Sequence, residues 1–245
     1  MYYRQNRTVA YYECDVNNRL KLSGALQYMQ QVSSRQLAAL DQSPERLYRE
    51  GLVFLLVKTN LKIERMPLCS EEVSVGTAAV GTKGPRFIRE FVIDSARGER
   101  LISAYSLWVL TDTINHRILR PGAYPYSIEM QEPQLEELVS DIPIPRENSP
   151  NGDGKSYNVE IRYSHLDINR HVNNCIYGDF LCDALPYDVV TSRQIQRLAL
   201  AFHHEARQGD LLQIYSHAIS PHSWKVVGNH SRGTCFDALV ELSGR

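Results

Sequence analysis

The chain switches between two hydrophobic periods, and it does so twice. Leu22, Ala25, Leu26, Met29, Val32, Leu37 and Leu40 fall mostly at i, i+3, i+4 spacing. This predicts an amphipathic helix of about five turns. Val172, Ile176, Tyr177, Phe180, Leu181 and Ala184 repeat that spacing until Pro186 stops it. They predict a second helix, beginning at about His171 or Val172. After each helix the period becomes two. EEVSVGTAAV in the first half matches GDLLQIYSHA in the second. RFIREFVID-SARG-ERLISAYSLWVL reads as a long hairpin turning at Arg97-Gly98, and HSWKVVGNH-SRG-TCFDALVEL repeats it at Arg232-Gly233. The first half has extra residues after its helix, around QSPERLYREGLVF.

The pattern is therefore one unit, helix then antiparallel strands, written twice. Two copies imply a duplicated unit rather than a solenoid. Six of the 11 prolines lie between Pro121 and Pro150, and EPQLEELVSDIPIPRENSPNGDGKS reads as a linker with one short helical turn at QLEELV. The expected organisation is an N-terminal unit at 1–120, a Pro-rich linker at 121–155 and a C-terminal unit at 156–245. The fold class is α+β, each sheet wrapping its own long helix.

Aligning the halves isolates the candidate chemistry. Tyr12-Glu-Cys-Asp15-Val-Asn17-Asn-Arg19-Leu20 lies over Ser164-His-Leu-Asp167-Ile-Asn169-Arg-His171-Val172. In an extended segment Asp167, Asn169 and His171 project to one side, while Leu166, Ile168 and Val172 can point inward. A helix starting at His171 or Val172 would add unpaired N–H groups for a developing oxyanion. Asp and Asn also serve as helix caps and turn residues. Asp15 and Asn17 are kept in the first half, but Arg19 stands at the place of His171. Asp and Asn are thus candidates for a structural role in both copies, and the histidine marks one centre per chain, in the second half.

A second candidate lies in LALAFHHEARQGDLLQIYS. Leu198, Leu200 and Phe202 alternate with Ala199, Ala201, His203 and Glu205. A carboxylate partly buried at that strand end is suited to activating water. The first half has no carboxylate at the matching position, near Pro67. His203 and His204 are adjacent, so in a strand they diverge and make poor joint metal ligands. There is no GxSxG elbow and no P-loop. Neither a metal nor a cofactor is expected.

Composition narrows the partners. Hydrophobic residues make up 43% and charged residues 22% of 245, an ordinary globular balance. A net charge of −1 gives no bulk attraction for nucleic acid or an anionic membrane. No apolar run approaches the ~20 residues of a membrane span. The opening MYYRQNRTVAYYECD lacks the apolar stretch of a secretory signal. Five scattered cysteines without a CxxC pair favour a reducing, cytoplasmic setting.

SHLDINRHVNNCIYGDF resembles the HVNN-containing signature of the acyl-acyl-carrier-protein thioesterases, plant and bacterial hydrolases that release fatty acids. The likeness extends through YYECDVNNRLKLSGALQYMQQVSSRQLAALDQSPERL, the strands to Ile118-Leu119 and FHHEARQGDLLQIYS. It implies two tandem hot-dog units, thioester hydrolysis, and acyl carrier protein as the partner presenting the substrate. By position, Asp167, Asn169, His171 and Glu205 match the family's catalytic residues. The signature's first acidic position is Ser164 or His165 here, a departure. Ala206 stands where many plant members have a cysteine, so a thiol nucleophile there is not required. The resemblance places the acyl chain in the first unit, with Leu26, Met29 and Val32 as wall candidates. An acidic carrier calls for a basic patch, for which Lys58, Lys62, Arg65, Lys83, Arg86 and Arg89 are candidates. Hot-dog units usually pair; a monomer and a homodimer of tandem units both satisfy that. A coenzyme A thioesterase, a hot-dog hydratase and a non-catalytic acyl sensor are the competing functions.

Overall fold

A computed structural model describes residues 2–115, 117–135, 142–145 and 154–244. The first unit opens with β1 (Tyr3–Thr8) and a 3-10 turn at Tyr11–Glu13. Its long helix, α1, covers Leu22–Ala39, and a short α2 spans Pro44–Arg49. Then come β2 (Leu52–Ile63), β3 (Glu72–Lys83), β4 (Arg86–Ser95), β5 (Arg100–Asp112) and a two-residue β6 (Ile118–Leu119). The second unit repeats the plan. It contains β7 (Lys155–Glu160), a 3-10 turn at Tyr163–His165, α3 (Tyr177–Ala184), α4 (Tyr187–Ser192), β8 (Ile195–Phe202), β9 (Leu211–Ser220), β10 (Ser223–His230) and β11 (Gly233–Leu242).

The strands join in one antiparallel sheet of order β1-β3-β4-β5-β2-β8-β11-β10-β9-β7, with β6 on β5. Each half of that order mirrors the other, and β2 pairs with β8 at the centre, Asn60 opposite Ala199. The two hot-dog units are thus fused edge to edge inside one chain. Both predicted hairpins form, β4–β5 and β10–β11.

The helices confirm the first period and correct the second. α1 buries Leu22, Ala25, Leu26, Met29 and Val32 in a core that continues into the second unit through Val172, Phe180, Leu181 and Leu198. α3 begins five residues later than Val172. The amide of Val172 donates to the Ala206 carbonyl, and Asn173 Oδ1 accepts from the Cys175 amide at 2.9 Å. Those bonds take the amides at 172 and 175 out of any helical ladder. The apolar spacing from Val172 to Ile176 is therefore a hairpin end and a turn, not a helix.

The extra residues of the first half form α2, capped where the Arg46 amide donates to Ser43 Oγ. Its Leu47 joins an aromatic cluster with Phe87, Leu110 and Tyr124. The helical turn expected at QLEELV lies mostly outside the described residues. Ile142 and Ile144, from the stretch that reads as linker, pack with Ala199 and Leu239 on the face of β8 and β11 opposite the core. Lys58 Nζ donates to the Ile142 carbonyl at 2.7 Å, and the fully buried Lys225 donates to the Pro145 carbonyl and pairs with Asp237. Residues 142–145 of this stretch are thus a docked strap. Among the described residues, no helix is long and apolar enough to cross a membrane.

Candidate active site

The polar triplet sits in a tight hairpin rather than an extended strand. Leu166 bridges Val172, the Asp167 amide donates to the His171 carbonyl, and the Arg170 amide donates to the Asp167 carbonyl. Asp167 Oδ1 accepts from the Asn169 amide at 2.8 Å, an Asx turn. Arg170 completes the loop with φ +63°, left-handed backbone that is uncommon for arginine. The first unit builds the same loop, with Asn18 at φ +61° and Asp15 Oδ1 accepting from the Asn17 and Arg19 amides. Ile168 is 78% exposed at the loop tip, not inward as alternation predicted.

The hairpin and the loop after β8 are tied together by a bridge between His171 and Arg207. This brings His171 Nε2 to 3.2 Å from Glu205 Oε2. The histidine side chain is 28% exposed and the carboxylate 43%, so Glu205 is less buried than its strand context suggested. Glu205 also pairs with Arg207. The corresponding bridge in the first unit joins Arg19 to Leu68, which places Met66 at the position of Glu205. Arg19 there pairs with Asp15 at 3.5 Å, and Met66 is core. The His–carboxylate pair is therefore built in one unit only.

The backbone of Glu205 is clamped from β10 and its turn. Its carbonyl accepts from His230 Nε2 at 3.1 Å and Arg232 Nη2 at 3.2 Å. Arg232 is held by Asp210, whose other contact is the Arg207 amide at 2.7 Å. The Arg232 hydrogen bond holds the Asp210 carboxyl below the usual carboxylate range. A depressed pKa stabilises above the ordinary value of ~3.9 and loses that contribution as pH falls through the depressed one. Hydrogen exchange is expected to leave the 205–210 loop protected down to about pH 4, and Asp210→Asn to loosen it at neutral pH. Arg232→Ala is expected to lower kcat roughly 10–100-fold with little change in KM, because it displaces Glu205 without touching substrate. The sequence reading missed this clamp. Its signal was the pair of turns, RQGD and SRG.

The backbone amides expected to be unpaired at this site are largely taken. The amides of Asp167, Asn169, Arg170, Val172, Asn173 and Cys175 all have partners. The side-chain amide of Asn169 has none among the described residues. In the first unit, by contrast, Asn17 Nδ2 donates to the Thr191 carbonyl at 3.0 Å. Ala206 is fully buried and faces the core, so a thiol at this position would point away from the His171–Glu205 pair. Burial pushes the Cys175 and Cys182 thiols up to about 12.

Asp167 and Asn169 stand on the wall of a cleft of about 1820 Å³ that runs into the first unit. Its wall in the first unit includes Leu37, Phe54, Phe87, Trp108 and Tyr124. Phe54 meets Phe87 edge-on at 5.1 Å and Tyr124 at 5.2 Å. Leu26, Met29 and Val32, the wall candidates from sequence, are packed core instead. His171 and Glu205 are not themselves wall residues; their chain neighbours Arg170 and Arg207 are. The basic candidates do not form a patch. Lys62 pairs with Glu64, Arg65 with Glu71 and Glu99, and Arg89 lies in the cleft wall, while Lys83 and Arg86 are exposed across the β3–β4 hairpin.

Comparison with known proteins gives a consistent result. The acyl-ACP thioesterase N-terminal domain matches residues 1–121 and the corresponding C-terminal domain matches 148–240. A palmitoyl-acyl carrier protein thioesterase of Cuphea hookeriana chloroplasts is 24% identical over 86% of this chain and 53% of its own length. The chain thus spans about half the length of the curated relatives it matches. Among solved structures, an acyl-ACP thioesterase from Bacteroides thetaiotaomicron superposes with a TM-score of 0.85 at 20% identity, covering 98% of this chain and 97% of that one. The 12:0-ACP thioesterase from Umbellularia californica gives 0.84 at 16% identity, covering 100% and 98%. These structures share the tandem hot-dog fold. With both halves matched in order by the paired domains, the chain belongs to the acyl-ACP thioesterase family.

Proposed function

We propose that the protein hydrolyses the thioester of fatty acyl-acyl carrier protein, releasing free fatty acid and the carrier's thiol. The observation that carries this reading is the His171–Glu205 contact of 3.2 Å in the hairpin and loop whose residues Asp167, Asn169, Arg170 and Arg207 line a large cleft. Glu205 takes a proton from water as the water oxygen attacks the thioester carbonyl carbon. The unpartnered amide of Asn169 donates to the carbonyl oxygen as it gains charge. Collapse breaks the C–S bond, and His171 passes a proton from Glu205 to the departing thiolate. Asp167 holds Asn169 through the Asx turn and is a positioning residue. The C-terminal unit is the catalytic one and the N-terminal unit, before the Pro-rich strap, supplies the acyl-binding wall. All four residues come from one unit, and β2–β8 pairing meets the hot-dog pairing within a chain, so a homodimer is not needed for the site. We place the reaction in the cytoplasm, in keeping with five free cysteines.

The test is product analysis with acylated carrier protein. One free thiol and one free fatty acid per ester consumed support hydrolysis. Acyl transfer to another acceptor, with no free acid, would contradict it.

A further inference from the structure

The polar hairpin is built twice in this chain, and the two copies differ at their left-handed residue. Asn18 holds that place in the first unit at φ +61°, and Arg170 holds it in the second at φ +63°. Asparagine tolerates this backbone, whereas an arginine there works against it. The loop itself therefore does not call for the arginine. A residue kept in a sparsely populated conformation points to a use outside the fold.

Arg170 stands between Asn169 and His171 in the chain, is exposed, and lines the cleft. The cations near it are engaged, Arg207 with Glu205 and Arg162 with Glu160. Among the described residues the Arg170 side chain has no hydrogen bond or ion pair. Its exposure means that water solvates the charge until a ligand replaces it. With the acyl chain in the first-unit part of the cleft and the thioester at Asn169, the arm on the sulfur side leaves past this hairpin. That arm, pantetheine, is built of neutral amides and a hydroxyl, and its one charged group is the phosphate at its far end. A guanidinium fork matches phosphate oxygens. We propose that Arg170 binds the phosphate of the pantetheine arm at the cleft mouth and is a specificity-determining residue for the arm. This rests on the thioesterase reading. Coenzyme A carries a phosphate at the same place, so Arg170 selects the phosphorylated arm, and the choice between carriers is made elsewhere.

The test compares the decanoyl thioesters of pantetheine, phosphopantetheine, coenzyme A and acyl carrier protein. Wild type is expected to show kcat/KM about three- to tenfold higher for the phosphopantetheine ester than for the pantetheine ester, a ratio that shrinks with added salt. Arg170→Asn, which installs the first unit's residue, should bring that ratio close to one without lowering the thermal midpoint. Arg170→Lys should keep part of it. The coenzyme A and carrier-protein esters should lose kcat/KM by the same factor in Arg170→Asn. The proposal is overturned if Arg170→Asn keeps the wild-type ratio. It is also overturned if the loss is confined to the carrier-protein ester, which would put Arg170 against acidic side chains of the carrier. If no ester is hydrolysed, the thioesterase reading fails, and calorimetry with the S-decyl thioethers of pantetheine and phosphopantetheine still decides the role of Arg170. Wild type should bind the phosphorylated thioether more tightly and Arg170→Asn should not; equal preference in the two proteins overturns it.

Discussion

Glu205→Gln is expected to lower kcat for thioester hydrolysis by about 10²–10⁴-fold while leaving the fold intact. The amide keeps the shape but removes the base. The side chain is 43% exposed and its partners His171 and Arg207 are themselves partly exposed, so little stability rides on it. His171→Ala should fall in the same range, because the proton that Glu205 removes from water then has no route to the leaving thiolate. Residues acting as a unit are non-additive, so the double variant should be no slower than the slower single one. Single-turnover thiol release, with circular dichroism as the fold control, checks all three. Near-wild-type rates for Glu205→Gln would remove the carboxylate from the chemistry.

The second large effect is structural. Gly178→Ala is expected to destabilise the protein by about 1–3 kcal/mol or more. Gly178 lies in α3 where it crosses the start of α1, and an added Cβ would stand 2.7 Å from Ser23 N and 2.9 Å from Ser23 Cα. Backbone atoms of a buried helix cannot step aside as a flexible side chain can. The helices must part, and the Ser23–Asp179 hydrogen bond of 2.6 Å is drawn apart with them. The change should appear as a lower urea midpoint with an unaltered slope. Activity should also fall, because α1 supplies Gln36 and Leu37 to the cleft wall. An unchanged midpoint would mean that the two units meet differently.

Much of this molecule is legible in its sequence, for a physical reason. Periodicity reports which face is buried. It finds α1 because that helix is long and one-sided, whereas the hairpin strands, buried on both faces, are legible as long apolar runs broken by the Arg-Gly turns. It fails at Val172–Ile176, where apolar residues at helical spacing serve a hairpin and a turn. The bonds that decide the matter, from Val172 to the Ala206 carbonyl and from the Cys175 amide to the Asn173 side chain, come partly from a distant strand end. Internal duplication did more for the site than either half alone. Setting Asp15 on Asp167 separated the loop-forming Asp and Asn from the histidine, and the two loops share their Asx turns and left-handed residues.

What could not be read was the distribution of charge in three dimensions. Six basic residues close in sequence looked like a docking patch. The fold scatters them, pairing Lys62 and Arg65 on the surface and turning Arg89 inward. The alternation Phe87, Arg89, Phe91 held that information, since period two puts all three on one face. The clamp from Asp210 through Arg232 to the Glu205 carbonyl was hidden for a different reason. It links the two turns that follow β8 and β10, and only the folded sheet makes them neighbours.

The measurement that tests the central claim most directly is thiol release from matched acyl esters of acyl carrier protein and coenzyme A, by wild type and Glu205→Gln. The account predicts hydrolysis by wild type with kcat/KM higher for the carrier-bound ester, and loss of both activities in the variant. Wild-type inactivity on every thioester, with acyl chains still bound in the cleft, would contradict it and leave the SHLDINRHVNN hairpin as a structural turn.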